Sequence, residues 1–288
     1  MSEGGRVVVV TGLGGMGLAV ARRLGPGSTL LLADVNSATL GEAAHALRAE
    51  GQRVVEQETD VSDERSVASL ASAAMEMGRV DVLVHTAGLS PVQASVEAIL
   101  RVDLLGTALV LDAFASAIAP GGAGVVVASM AGTMFPQEAD LERRLATTPT
   151  ATLLDLPELS EGAIADQGSA YGLAKRANQL RVRAASVGWG RRGARVNSIS
   201  PGVISTSMGA AELEGTSGQL MRSMVARSGT GRIGTPDDIA AAAEFLTGPQ
   251  STFITGTDLL VDGGVVASLA APEQLVGSAT PVPSRSSA

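Results

Sequence analysis

The 288-residue sequence predicts a single α/β domain, doubly wound around a sheet of about seven parallel strands with helices on both faces. Three observations carry the prediction. Short β-branched runs alternate with Ala/Leu-rich helical stretches, a glycine-rich loop joins the first run to the first helix, and the second run ends on a carboxylate.

The elements follow in chain order. Arg6–Val10 (RVVVV) is a short apolar run closed by Thr11-Gly12, so it reads as a fully buried strand, and Gly15–Leu24 continues as a helix. Thr29–Asp34, Arg53–Glu58, Val80–His85, Gly124–Ser129, Arg195–Ile199 and Asp258–Val261 read as the remaining strands. The stretches Ala38–Glu50 and Ser66–Met77 have the length of right-handed crossover helices. Residues 1–270 are therefore expected to form one domain. Two stretches break the rhythm. Residues 133–168 stand where a few residues would suffice and read as an insertion with its own short helices, while 271–288, rich in Pro, Ser and Ala, reads as a loose tail.

Composition narrows the function. Hydrophobic residues at 45% and charged residues at 17% suit a globular chain, and a net charge of -8 argues against a nucleic-acid or anionic-membrane partner, which would require a basic face. With no cysteine and only His45 and His85, no thiolate or histidine metal site is available, and no metal is expected. The first apolar run is too short for a signal-peptide core or a membrane span, so the expected location is cytoplasmic.

The loop TGLGGMG sets Gly12, Gly14 and Gly17 in G-x-G-x-x-G register, with Gly15 and Met16 between them. After a strand and before a helix, this spacing supplies a tight turn, close backbone approach to a pyrophosphate and a helix N-terminus facing the phosphates. Asp34 closes the next strand 22 residues after Gly12, where its carboxylate can accept from both adenosine ribose hydroxyls. It would repel a 2'-phosphate, and no Arg or Lys stands directly after it, so NAD is favoured over NADP. The plainer alternative is that Asp34 caps the helix beginning near Asn36.

Tyr171 and Lys175 are the only tyrosine and the only lysine in the chain. Four residues apart on a helix they share a face, and a neighbouring ammonium favours the phenolate, which is what proton transfer at an alcohol oxygen requires.

With these motifs in order, the chain resembles the short-chain dehydrogenase/reductase family, of the branch usually called classical, over about residues 5–266. The family has a Rossmann-like fold. Beside the glycine loop, TDVSD resembles the segment whose Asp60 side chain and Val61 backbone contact adenine. HTAG stands where the family has N-N-A-G and brings Ala87 and Gly88 to the cofactor. VVVASMAG matches the catalytic serine at Ser129, and YGLAK is the family's Y-x-x-x-K. In SISPGVISTSM, Pro201, Gly202, Ile204 and Thr206 would meet the nicotinamide. The resemblance implies that Tyr171 is the general acid/base, that Lys175 lowers its pKa and bonds the nicotinamide ribose, and that Ser129 hydrogen-bonds the substrate oxygen. It also implies a homo-oligomer, dimer or tetramer.

The sequence departs from the family at three places. Asp103 replaces the asparagine that completes a proton relay near the lysine, where it could pair with Lys175 and weaken its effect on Tyr171. His85 is expected to be a neutral imidazole satisfied by hydrogen bonds beside the sheet. The separation of 42 residues from Ser129 to Tyr171 resembles the insertion of bacterial 3-alpha-hydroxysteroid dehydrogenase/carbonyl reductases. Its leucines, Leu153, Leu154, Leu156 and Leu159, could form a lid over an apolar substrate or an appendage that alters subunit packing. The expected function is NAD(H)-dependent interconversion of a secondary alcohol and a ketone, on an apolar or steroid-like substrate. The alternatives are a dinucleotide-binding regulator of the same fold without turnover and an extended-type sugar-nucleotide epimerase, which would need glycine at Leu18 and a larger C-terminal domain.

Overall fold

The computed structural model describes residues 5–92, 94–215 and 218–271. Seven parallel strands form one sheet: β1 (Arg6–Thr11), β2 (Thr29–Asp34), β3 (Arg53–Glu58), β4 (Arg79–His85), β5 (Ala123–Val127), β6 (Arg195–Pro201) and β7 (Asp258–Val261). Their order is β3-β2-β1-β4-β5-β6-β7, so the chain reverses direction between β1 and β4. Such a switch point opens a crevice at the carboxyl ends of the strands.

The helices are α1 (Gly15–Leu24), α2 (Ser37–Ala49), α3 (Glu64–Met77), α4 (Val96–Ile99), α5 (Thr107–Ala117), α6 (Met130–Met134), α7 (Ala139–Thr147) and α8 (Gln167–Arg191). They continue with α9 (Ser207–Glu214), α10 (Gly218–Arg227), α11 (Pro236–Thr247) and α12 (Val265–Ala270). Four fully buried valines in β1 show why the sheet needs covering on both sides. Alternating side chains send Val8 and Val10 into a core with α1, α2 and α11, and Val7 and Val9 into a second core with α3, α5 and α8.

All seven predicted strands are present, with one boundary that matters. β5 ends at Val127, and Ser129 is not a strand residue: it caps the N-terminus of α6, its Oγ accepting from Ala131 N at 3.1 Å. The expected tail from 272 onward lies outside the described residues. Among the described residues no helix is long and apolar enough to cross a membrane, and no cluster of His, Asp or Glu is arranged to hold a metal.

The insertion contains α7 and two 3-10 turns, Thr150–Asp155 and Pro157–Leu159. Leu145, Leu153, Leu156 and Leu159 are buried in a third core against Leu104, Leu173 and Ala177, on α8 and the helical segment before α5. Polar contacts fasten the same surface. Arg176 of α8 pairs with both oxygens of Glu142 at 2.7 and 2.9 Å, and Arg181 donates to the carbonyls of Leu145 and Thr148 at 3.1 and 3.0 Å.

Candidate active site

Two adjoining cavities occupy the switch-point crevice. The first, about 270 Å3, is lined by Gly12, Gly14, Gly15, Met16, Gly17, Asp34, Asp60, Val61, Ala87, Gly88 and Thr206, so the expected dinucleotide residues converge. The loop's shape depends on missing side chains. Gly12 has φ 83°, and a Cβ on Gly17 would stand 1.8 Å from Gly12 O. Thr86 ties the loop to β4, its hydroxyl lying 2.6 Å from Gly12 O. A cradle of exposed backbone at the start of a helix fits a pyrophosphate.

Asp34 is held in place by the same loop, Oδ2 accepting from Leu13 N at 2.6 Å and Oδ1 from Asn36 N at 2.9 Å. It does not cap α2. Asn36 does, accepting from Ala38 N and Thr39 N, which leaves Asp34 facing the cavity. No Lys or Arg lines that cavity among the described residues.

The second cavity, about 260 Å3, shares Met16, Thr206 and Met208 with the first and reaches Ser129, Tyr171, Pro201, Gly202 and Ile204. Its remaining wall is largely apolar, with Val92, Met130, Met134, Phe135 and Met221. Of the insertion only the two ends, Met134 and Phe135 at one and Gly168 at the other, line it; its leucines pack elsewhere.

Lys175 and Asp103 line neither cavity. They sit behind the wall, 5% and 0% exposed, with Lys175 Nζ 3.7 Å from Asp103 Oδ2. Both press on Gly88, where a Cβ would stand 3.1 Å from each. Asp103 belongs to a π-helical turn, Leu100–Gly106, wedged between α4 and α5, which turns its side chain inward, where Oδ1 accepts from Leu89 N at 2.7 Å. Burial pushes the Asp103 carboxyl above its usual range, against the pull of Lys175 and Leu89 N.

The expected lowering of the Tyr171 pKa by Lys175 is not what this arrangement produces. Burial and the Asp103 charge push the phenol above its ordinary value, with Ser129 opposing weakly. The ammonium lies 5.3 Å from the centroid of the Tyr171 ring and faces a carboxylate, so much of its field is offset.

His85 behaves as expected. The Thr107 hydroxyl donates to Asp103 O at 2.8 Å, so its oxygen accepts from His85 Nε2 at 3.2 Å, and His85 Nδ1 accepts from Thr11 Oγ1 at 2.7 Å. Burial, with the Lys175 charge, holds the imidazole neutral by lowering its pKa to about 3.

Sequence reasoning missed Thr86, Gln179 and Glu212. Gln179 lies four residues beyond Lys175, so helical spacing could have found it; its Nε2 donates to Ser200 Oγ at 2.9 Å and Thr133 Oγ1 at 3.2 Å, bracing the segment behind Ser129. Glu212 falls where no motif guides the eye.

A glycine-loop cavity opening onto a cavity with a serine and a tyrosine in its wall is the layout of a dinucleotide-linked oxidoreductase. Comparison with known proteins agrees. Residues 6–139 match the family model described as short chain dehydrogenase, and residues 143–266 match one described as enoyl-(acyl carrier protein) reductase. The chain is 42% identical over 264 residues to the short-chain dehydrogenase/reductase bsc3 of Alternaria brassicicola, covering 91% of this chain and 96% of that one. It is 32% identical over 274 residues to D-threitol dehydrogenase of Mycolicibacterium smegmatis, covering 90% and 92%. A short chain dehydrogenase from Burkholderia cenocepacia, solved in complex with NADP, is similar with a TM-score of 0.72 at 25% identity, covering 92% of this chain and 98% of that one. The chain belongs to the short-chain dehydrogenase/reductase family, whose members are oxidoreductases that bind a nicotinamide dinucleotide.

Proposed function

We propose that this chain is an NAD(H)-dependent oxidoreductase that interconverts an apolar, cyclic or steroid-like secondary alcohol and its ketone. The observation that carries the reading is that Ser129 and Tyr171 stand together in the wall of an apolar cavity continuous with the glycine-loop cavity. When bound, the nicotinamide supplies or accepts the hydride at the carbinol carbon. The chain's own residues handle the proton. Tyr171 gives its phenolic proton to the ketone oxygen in reduction and takes the alcohol proton in oxidation. Ser129 Oγ, whose lone pair already accepts from Ala131 N, has its own proton free to hold the same substrate oxygen.

The Tyr171 phenol, raised by burial and the Asp103 charge, stands protonated at neutral pH, the form that gives a proton in ketone reduction, though as a weaker acid than an ordinary phenol. Oxidation is expected to gain with rising pH. Support for NAD over NADP is the Asp34 carboxylate in a cavity that no Lys or Arg lines among the described residues; the 2'-phosphate of NADP would meet that negative charge. The insertion reads better as a packing element than as a lid, since its leucines are spent on α8 and the segment before α5. A homo-oligomer would then use other surfaces, and among the described residues the edge strand β7 with Leu260, and Phe253 shortly before it, offer exposed apolar side chains for one.

One observation favours a second reading, a dinucleotide-binding regulator without turnover: Lys175 faces the Asp103 carboxylate at 3.7 Å, which offsets its charge beside Tyr171. The two readings part in one experiment, NADH-dependent reduction of a panel of cyclic ketones and steroids with Tyr171→Phe alongside.

A further inference from the structure

The cavity that holds Ser129 and Tyr171 has one carboxylate in its largely apolar wall. Glu212, on α9, lines it together with Val92, Met130, Phe135 and Met221. Ser90 Oγ donates to Glu212 Oε1 at 2.8 Å from a buried position, and the same hydroxyl oxygen is 3.4 Å from Val92 N, so Ser90 fixes one carboxylate oxygen. Among the described residues Oε2 accepts no hydrogen bond, and no Lys or Arg lies within ion-pair distance. Other glutamates of this chain, such as Glu50, Glu142 and Glu158, are paired with arginines. Glu212 is half-buried, so its second oxygen stands as an open acceptor that a substrate donor can take over from solvent.

Glu212 shares the wall of this cavity with Ser129 and Tyr171, and its charge is one of those that raise the Tyr171 phenol. The cavity they share is about 260 Å3, of the size that holds a small ring.

We infer that Glu212 is the specificity residue of this cavity: it accepts a hydrogen bond from a second hydroxyl on a compact apolar alcohol and repels substrates bearing a carboxylate. The inference rests on the oxidoreductase reading above for the identity of the first hydroxyl. A hydroxyl donor satisfies Oε2 without bringing a second charge into the cavity. An anion placed there would add like-charge repulsion.

The test uses three matched probes: trans-cyclohexane-1,4-diol, cyclohexanol and 4-hydroxycyclohexanecarboxylate. For the wild type, Glu212→Gln and Glu212→Leu, turnover with NAD is measured, together with calorimetric binding to the protein–NADH complex. The wild type is expected to favour the diol over cyclohexanol by about tenfold or more, mainly in KM, and to leave the carboxylate almost untouched. Glu212→Leu should lose the diol advantage. Glu212→Gln keeps an acceptor oxygen without the charge, so it should retain most of that advantage and admit the carboxylate.

An unchanged diol preference in Glu212→Leu overturns the assignment while leaving the oxidoreductase reading intact. If Glu212→Leu fails to fold, exclusion of the carboxylate by Glu212→Gln as strongly as by the wild type overturns it instead. Diol binding that depends on Glu212 without any oxidation supports the donor site and counts against the reaction. Equal binding of diol and cyclohexanol by the wild type, or binding of neither, overturns the donor site.

Discussion

Lys175 Nζ lies 3.7 Å from Asp103 Oδ2, with the two side chains 6% and 0% exposed. The only lysine of the chain therefore faces a carboxylate on one side and the ring of Tyr171 on another. Asp103 Oδ2 accepts no hydrogen bond, so the contact is a charge pairing held at a distance.

Replacing that charge gives the first prediction. Burial is the main cause of the raised Tyr171 phenol and the Asp103 charge the second; Asp103→Asn keeps an oxygen for Leu89 N but removes that charge, so the phenol becomes easier to ionise. Alcohol oxidation needs the ionised phenol. Its pH profile should move to lower pH, with a gain on the order of tenfold at pH 7. A profile of kcat/KM against pH that does not move would show that the Asp103 charge has no hold on Tyr171.

Asp34 fixes cofactor choice in the proposed reading. Asp34→Ala removes the ribose acceptor and the partner of Leu13 N and Asn36 N. NADH should bind about tenfold more weakly, and NADPH should bind at least as well as it does to the wild type. Fluorescence titration of both cofactors checks this, and an unchanged NADH-to-NADPH ratio would speak against the assignment.

His85 makes stability depend on pH. Folding lowers its pKa from 6.5 to about 3, so the unfolded chain binds the proton more readily. Its contribution is fully present above pH 6.5 and is lost as the pH falls towards 3, at up to about 1.4 kcal/mol per pH unit. His85→Gln, with a side chain able to donate and accept between the two threonines, should flatten urea-unfolding stability over that window. An equal slope in wild type and variant would contradict the buried neutral imidazole.

What the sequence makes legible is what repeats or is spaced. The valines of β1 and the leucines of β2 announce buried strands, and the glycine register announces the loop, because each carries its physical reason locally. Tyr171 and Lys175 could be placed on one helix face for the same reason. The π-helical turn at Asp103 could not, since an inserted residue in a helix leaves no pattern of its own, and that turn decides where the carboxylate points. The VVVAS run reads as strand up to Ser129, whereas β5 ends two residues earlier at Val127 and the Ser129 hydroxyl caps α6, a boundary the apolar run masks. Glu212 reaches the cavity only through tertiary placement of α9, and the docking of the insertion depends on Arg176 and Arg181 finding partners 34 and 36 residues back along the chain.

That docking yields a further prediction. Leu153 is fully buried away from the substrate cavity, so Leu153→Ala should lower stability by about 2–5 kcal/mol. If the insertion is a packing element, KM for a working substrate should change by less than about twofold. A large rise in KM with little loss of Tm would favour the lid.

The most direct measurement is the oxidation or reduction of cyclic alcohols and ketones with NAD(H), wild type against Tyr171→Phe, with NADH affinity followed in parallel. The expected result is turnover by the wild type, a loss of at least about a hundredfold in the variant, and NADH binding nearly unchanged between them. Turnover that survives in Tyr171→Phe would contradict the assignment of the proton to Tyr171, and wild-type protein that binds NADH tightly yet turns over nothing on the panel would favour the regulator.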